Sequence, residues 1–161
     1  SKKFGASVPY LRPSDISEDN SSSIDLILDF LNRFPDYQNI ILLQPTSPLR
    51  THLHISEAIK IYEEKKAAAV ISVKEIDYFP QYFFKEKKGK LQIDETINHL
   101  RRQSSDKRYY PNGAIYISSK NNILKNNSFF TKNTYLYLMD SISSIDIDDM
   151  YDLELVRNII R

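Results

Sequence analysis

The sequence predicts an α/β domain built on a mostly parallel sheet. Two continuous apolar runs, at 39–44 and 67–73, have strand length and no polar–apolar alternation, as in strands buried on both faces. A helix-like apolar stripe precedes each run, and helix, strand, helix, strand is the grammar of parallel strands joined by right-handed crossovers. At 161 residues the chain is one domain with room for a sizeable core.

Taken in order, Ser1-Lys2-Lys3-Phe4-Gly5-Ala6 reads as the end of a helix, with Gly5 just past its last turn. Ser7-Val8-Pro9-Tyr10-Leu11 reads as a short strand or extended segment, and 14–23 as a polar loop. Ser21-Ser22-Ser23 then caps an amphipathic helix through Ile24, Ile27, Leu28 and Leu31 that ends before Pro35. The strand at 39–44 ends in Gln44-Pro45-Thr46-Ser47-Pro48-Leu49-Arg50, a rigid loop at the carboxyl end of a buried strand, where open α/β sheets bind ligands. A helix over about 53–66 presents Ile55, Ala58, Ile59 and Tyr62 on one face and leads into the strand at 67–73.

From about 75 to 110 the grammar changes to an aromatic and polar excursion with a hairpin turn near Lys88-Gly89, read as a partner surface. Pro111-Asn112-Gly113 reads as a tight turn into a buried strand at 114–117. Residues 121–127 read as a loop, 135–139 as a strand and 150–160 as an amphipathic helix.

Composition narrows the chemistry. Acids and bases balance to a net charge of +1, which argues against a polyanion-binding surface, so no nucleic-acid partner is expected. There is no cysteine, hence no thiolate chemistry and no cysteine-based zinc site. His52, His54 and His99 lack metal spacing, and no apolar run is long enough to span a membrane. A soluble cytoplasmic protein is the expectation. The three glycines, Gly5, Gly89 and Gly113, are too scattered for a glycine-rich phosphate cradle.

Three carboxylates fall within Ser144-Ile145-Asp146-Ile147-Asp148-Asp149. In an extended chain Asp146 and Asp148 point to one side and the isoleucines to the other. Two carboxylates held together call for a cation between them, and Mg²⁺ often takes only one or two carboxylates plus substrate phosphates. The same residues also suit the end of a strand and the cap of the following helix. On residue types alone both readings stand.

Four segments together resemble one family. Leu42-Leu43-Gln44-Pro45-Thr46-Ser47-Pro48-Leu49-Arg50, Arg102-Gln103, Pro111-Asn112-Gly113-Ala114-Ile115-Tyr116 and Ser144-Ile145-Asp146-Ile147-Asp148 are similar, in the same order, to motifs of the acylneuraminate cytidylyltransferases. The resemblance implies a Rossmann-like three-layer nucleotidyltransferase, akin to the nucleotide-diphospho-sugar transferases, whose 75–110 excursion forms a homodimer. It implies Mg²⁺-dependent activation of a nonulosonic acid by CTP. Asp146 and Asp148 match the metal ligands, and Arg12 and Ser23 match nucleotide contacts. Gln44, Arg102 and Tyr116 match sugar-site positions, with Gln44, Arg102, Asp146 and Asp148 carrying the chemistry. Phe129 and Phe130 match an aromatic pair lent to the neighbouring subunit's sugar pocket.

There are two departures. Family members begin with a phosphate-wrapping segment that this chain lacks, so the expectation is a carboxyl-terminal piece of a longer enzyme. Tyr82 and Tyr110 stand where some sialic acid members carry a lysine and an arginine, which shifts the expected sugar toward legionaminic or pseudaminic acid. The alternatives are a cytidylyltransferase for a Kdo-type acid sugar and a non-catalytic domain that keeps the fold and the dimer surface.

Overall fold

A computed structural model describes residues 2–14, 22–76, 85–92 and 107–161. Lys2–Phe4 form one 3₁₀ turn, closed by Gly5 at φ +83°. The segment after it is without a strand.

Helix α1, Ser23–Arg33, starts in a capping box: the Ser22 hydroxyl accepts from the Asp25 amide while the Asp25 carboxylate accepts from the Ser22 amide. Helix α2, His52–Glu64, uses the same device between Thr51 and His54, so His54 acts as a cap partner. The strands are β1 Asn39–Leu42, β2 Ala69–Ile76, β3 Lys85–Lys87, β4 Lys90–Gln92, β5 Arg108–Ser119 and β6 Thr134–Leu138. Helix α3 is Lys120–Asn126 and α4 is Met150–Ile160. The β3–β4 hairpin turns through Lys88 and Gly89, both at positive φ, as a two-residue hairpin turn requires.

The main sheet is β1-β5-β2-β6. The expectation of a mostly parallel sheet needs correction here. β2 and β6 are parallel, but β5 lies between β1 and β2 and runs antiparallel to both. The cause is connectivity. The chain leaves β2 at Ile76 and re-enters the sheet at Arg108, its register partner, so it comes back without a crossover.

Side chains alternate between two cores. Val70, Ala114, Ile115 and Tyr137 pack with Ala58 of α2 on one face. Ile71 and Val73 pack with Ile27 and Leu31 of α1, Ile123 of α3 and Phe129 on the other. The sheet is thus covered on both faces.

Three element expectations change. β1 is half exposed at an edge of the four-stranded sheet, with Ile41 40% accessible, where full burial was expected. Residues 120–126 form a helix in place of a loop: Ser119 caps it, Asn127 ends it at φ +49°, and buried Ile123 and Asn122 anchor it. Pro111-Asn112-Gly113 is an irregularity within β5 in place of a turn before it. Among the described residues no helix is long and apolar enough to cross a membrane.

Candidate active site

The site lies at the carboxyl ends of β1, β2 and β6, and the irregularity in β5 shapes it. Ser72 alone stands opposite residues 112–115 of β5, because Ile71 pairs with Tyr116 and Val73 already pairs with Pro111. The extra residues leave the ladder. Gly113 sits in this bulge at φ +78°, a conformation that favours glycine. A Cβ there would run into Gln44 Oε1 and lie 3.5 Å from Asp146 Oδ2. The bare glycine is therefore where the Gln44 amide and the Asp146 carboxylate converge.

Buried Asn112 holds this arrangement. Its Oδ1 accepts from the Ser72 hydroxyl at 2.6 Å and from the Ala114 amide at 3.2 Å. Its Nδ2 donates to Ser144 Oγ at 2.8 Å and to Met139 Sδ at 3.4 Å. Ser72 Oγ in turn accepts from the Ile115 amide at 2.7 Å. One amide side chain thus ties β2, the bulge and the start of the aspartate segment together.

The Gln44 loop is fixed by Arg50, whose Nη1 donates to the carbonyls of Gln44 at 2.9 Å and Ala114 at 2.7 Å. Burial pushes the Arg50 pKa down from its usual value. The Ile147 amide donates to Thr46 O at 2.9 Å and joins this loop to the aspartate segment.

The aspartates divide the two roles that sequence left open. Asp149 caps α4, accepting from the amides of Tyr151 and Asp152. Asp152 Oδ2 accepts from the amides of Asp148 and Asp149. The side chains of Asp146 and Asp148 take no part in the capping. Among the described residues neither carboxylate has a hydrogen bond or ion-pair partner, and Asp146 Oδ1 is fully buried without one. A buried carboxylate oxygen with no donor is costly unless a cation meets it. The all-oxygen donor set suits a hard divalent ion. Among the described residues no group of three or more His, Asp or Glu side chains could hold a metal, so such an ion would draw further oxygens from a substrate.

Gln44, Tyr116, Asp146 and Asp148 line one cleft of about 430 Å³ with Gly113, Lys74 and Tyr110. Ile145 lines it as well, so the strict inward–outward alternation predicted for 145–148 is incomplete. Burial raises the Tyr116 pKa, with the Asp146 charge adding to it, and the ring lies 5.2 Å from that of Phe129.

Other expected residues lie elsewhere. Arg12 lines a second groove, of about 580 Å³, with Tyr10, Phe30 and Ile40. Ser23 is exposed in the first turn of α1, where Ser22 is the cap. Phe129 is 5% accessible in its own core, whereas Phe130 is 61% accessible. Arg102 and Tyr82 fall outside the described residues, as does most of the 75–110 excursion. Sequence reasoning missed Lys74 and the Asn112 network. The first gave no local signal, since it stands beside Glu75 just past the apolar run at 67–73. The second had none, because Pro-Asn-Gly reads as a turn.

No family model matches the chain. It is 39% identical over 144 residues to the N-acylneuraminate cytidylyltransferase of Streptococcus agalactiae serotype III (strain NEM316), a match covering 88% of this chain and 35% of that protein. It is 35% identical over 161 residues to the enzyme of the same name from Escherichia coli O18:K1:H7, covering 92% and 36%. It is 34% identical over 164 residues to the CMP-N,N′-diacetyllegionaminic acid synthase of Legionella pneumophila, covering 98% and 70%. The chain thus spans about a third of the length of the first two relatives.

Proposed function

This chain belongs to the N-acylneuraminate cytidylyltransferase family, and on that premise we propose that the protein activates a nonulosonic acid with CTP, yielding a CMP-sugar and pyrophosphate. The observation that carries the proposal is the convergence of Gln44, Tyr116, Asp146 and Asp148 on one cleft around Gly113. A Rossmann-like nucleotidyltransferase fold goes with this reading. It is supported by a sheet covered on both faces and by a cleft at the carboxyl ends of three strands that run the same way.

In this reading the anomeric hydroxyl of the sugar attacks the α-phosphorus of CTP in line, the bond to the β-phosphate breaks, and pyrophosphate departs. Such chemistry rests on positioning and on charge stabilisation. Asp146 and Asp148 would hold Mg²⁺, consistent with the partnerless Asp146 Oδ1. When bound, Mg²⁺ neutralises phosphate oxygens and acidifies a coordinated hydroxyl. Gln44, its loop pinned by Arg50, orients the sugar through neutral hydrogen bonds. Tyr116 lines the cleft wall and offers a neutral phenol as donor. By resemblance, Arg102 holds an anionic group, and Arg12 and Ser23 contact the nucleotide. A homodimer is part of the proposal, and Phe130 is the exposed ring available to a second copy. A cytoplasmic location follows from the need for CTP.

The test is product formation by the natural full-length protein with CTP and Mg²⁺, followed by mass spectrometry. The panel is N-acetylneuraminic, N,N′-diacetyllegionaminic, pseudaminic and 3-deoxy-manno-octulosonic acids. A CMP-sugar from one of the first three is expected, legionaminic or pseudaminic acid foremost. Product from the octulosonic acid alone would move the protein to the Kdo-type branch, and no product from any acid would contradict the catalytic reading.

A further inference from the structure

The cleft is acidic along one side, where Asp146, Asp148 and Asp152 lie. Lys74 is the only cationic side chain among its described lining residues. Register places Lys74 directly opposite Tyr110 across the β2–β5 ladder, so the two side chains share a face, and both line the cleft. The acid beside it in sequence does not neutralise it. Glu75 points to the opposite face of the strand and pairs with Lys107 at 3.0 Å. Among the described residues the Lys74 ammonium makes no hydrogen bond or ion pair.

A half-buried lysine opposite a tyrosine, in a cleft whose other charged lining residues are carboxylates, suits an oxyanion. We propose that Lys74 and Tyr110 form the subsite for the substrate's carboxylate, with Lys74 setting selectivity for an acid over a neutral sugar. This rests on the functional reading above. Within it, the phosphates meet their positive charge at the Asp146–Asp148 end. Among the described lining residues, Lys74 is the one cation left to meet the sugar carboxylate. Lys74 supplies the charge, and the Tyr110 hydroxyl adds a neutral donor.

Charge selectivity is tested by binding, independently of turnover. Isothermal titration of the full-length protein uses the free acids of the panel and their methyl esters, with the wild type and with Lys74→Met. The wild type is expected to prefer free acid over ester by roughly tenfold, as charged hydrogen bonds typically provide. Lys74→Met should abolish that preference and Lys74→Arg should retain most of it. An acid-over-ester preference that survives Lys74→Met overturns the assignment, as does a wild type without any preference. A loss in Lys74→Met that falls on CTP affinity, with acid discrimination intact, overturns it too by placing Lys74 at the phosphates. The product assay separates the two readings. Product without charge discrimination sinks the Lys74 subsite alone, and discrimination without product sinks the catalytic reading alone.

Discussion

Asp146→Asn in the full-length protein is expected to lower Mg²⁺-dependent CMP-sugar formation on the order of 10³-fold, while the fold stays intact. The magnitude follows from the several kcal/mol of charge stabilisation that a catalytic metal supplies, each 1.36 kcal/mol being tenfold in rate. The stability side follows from the buried, partnerless Oδ1. A carboxylate that anchored the structure through hydrogen bonds would cost stability when neutralised. Asp146 has no such bonds among the described residues, and removing an uncompensated buried charge is neutral or stabilising. Thermal unfolding and turnover measured on the same preparation check both halves. A variant that loses turnover only because it unfolds would return Asp146 to a structural role.

Asn112→Ala is expected to do the reverse and act first on stability. Asn112 is 4% accessible, and its amide satisfies Ser72, the Ala114 amide and Ser144 at once. Alanine would leave the Ala114 amide and the Ser144 hydroxyl short of a partner, and each unsatisfied buried group costs about 1–3 kcal/mol. A loss of about 2–4 kcal/mol corresponds to a fall in Tm of roughly 5–15 °C for a domain of this size. Turnover of the remaining folded protein should fall as well, because Ser144 opens the segment that carries Asp146. Differential scanning calorimetry gives the first number, and an unchanged Tm would contradict the network's role.

The sequence made the helices and strands legible wherever the signal was local. Ser22 and Asp25 sit at cap spacing, and the apolar runs at 39–44 and 67–73 placed β1 and most of β2. The pairing of Asp146 with Asp148 in one cleft was also legible, because i and i+2 side chains of an extended chain share a side. Strand neighbours were not. That β5 enters antiparallel between β1 and β2 depends on a connection that periodicity does not encode. The helix over Lys120–Asn126 was hidden by its asparagines, whose weak propensity is overridden by burial of Ile123. Lys74 became visible only through register, which decides the face a strand residue takes. Asn112 reads as a turn residue because nothing local signals Ser72 and Ser144, 40 and 32 residues away in sequence.

Under the proposed function, Asp146 and Asp148 make this cleft the cation-dependent centre of nucleotidyl transfer. The most direct test of this role is the rate of CMP-sugar formation as a function of free Mg²⁺, for the full-length wild type and for Asp148→Asn. No turnover in chelator, saturable activation of the wild type, and a Mg²⁺ requirement raised at least tenfold in Asp148→Asn are predicted. Turnover that persists in chelator, or identical Mg²⁺ dependence in the two proteins, would contradict it.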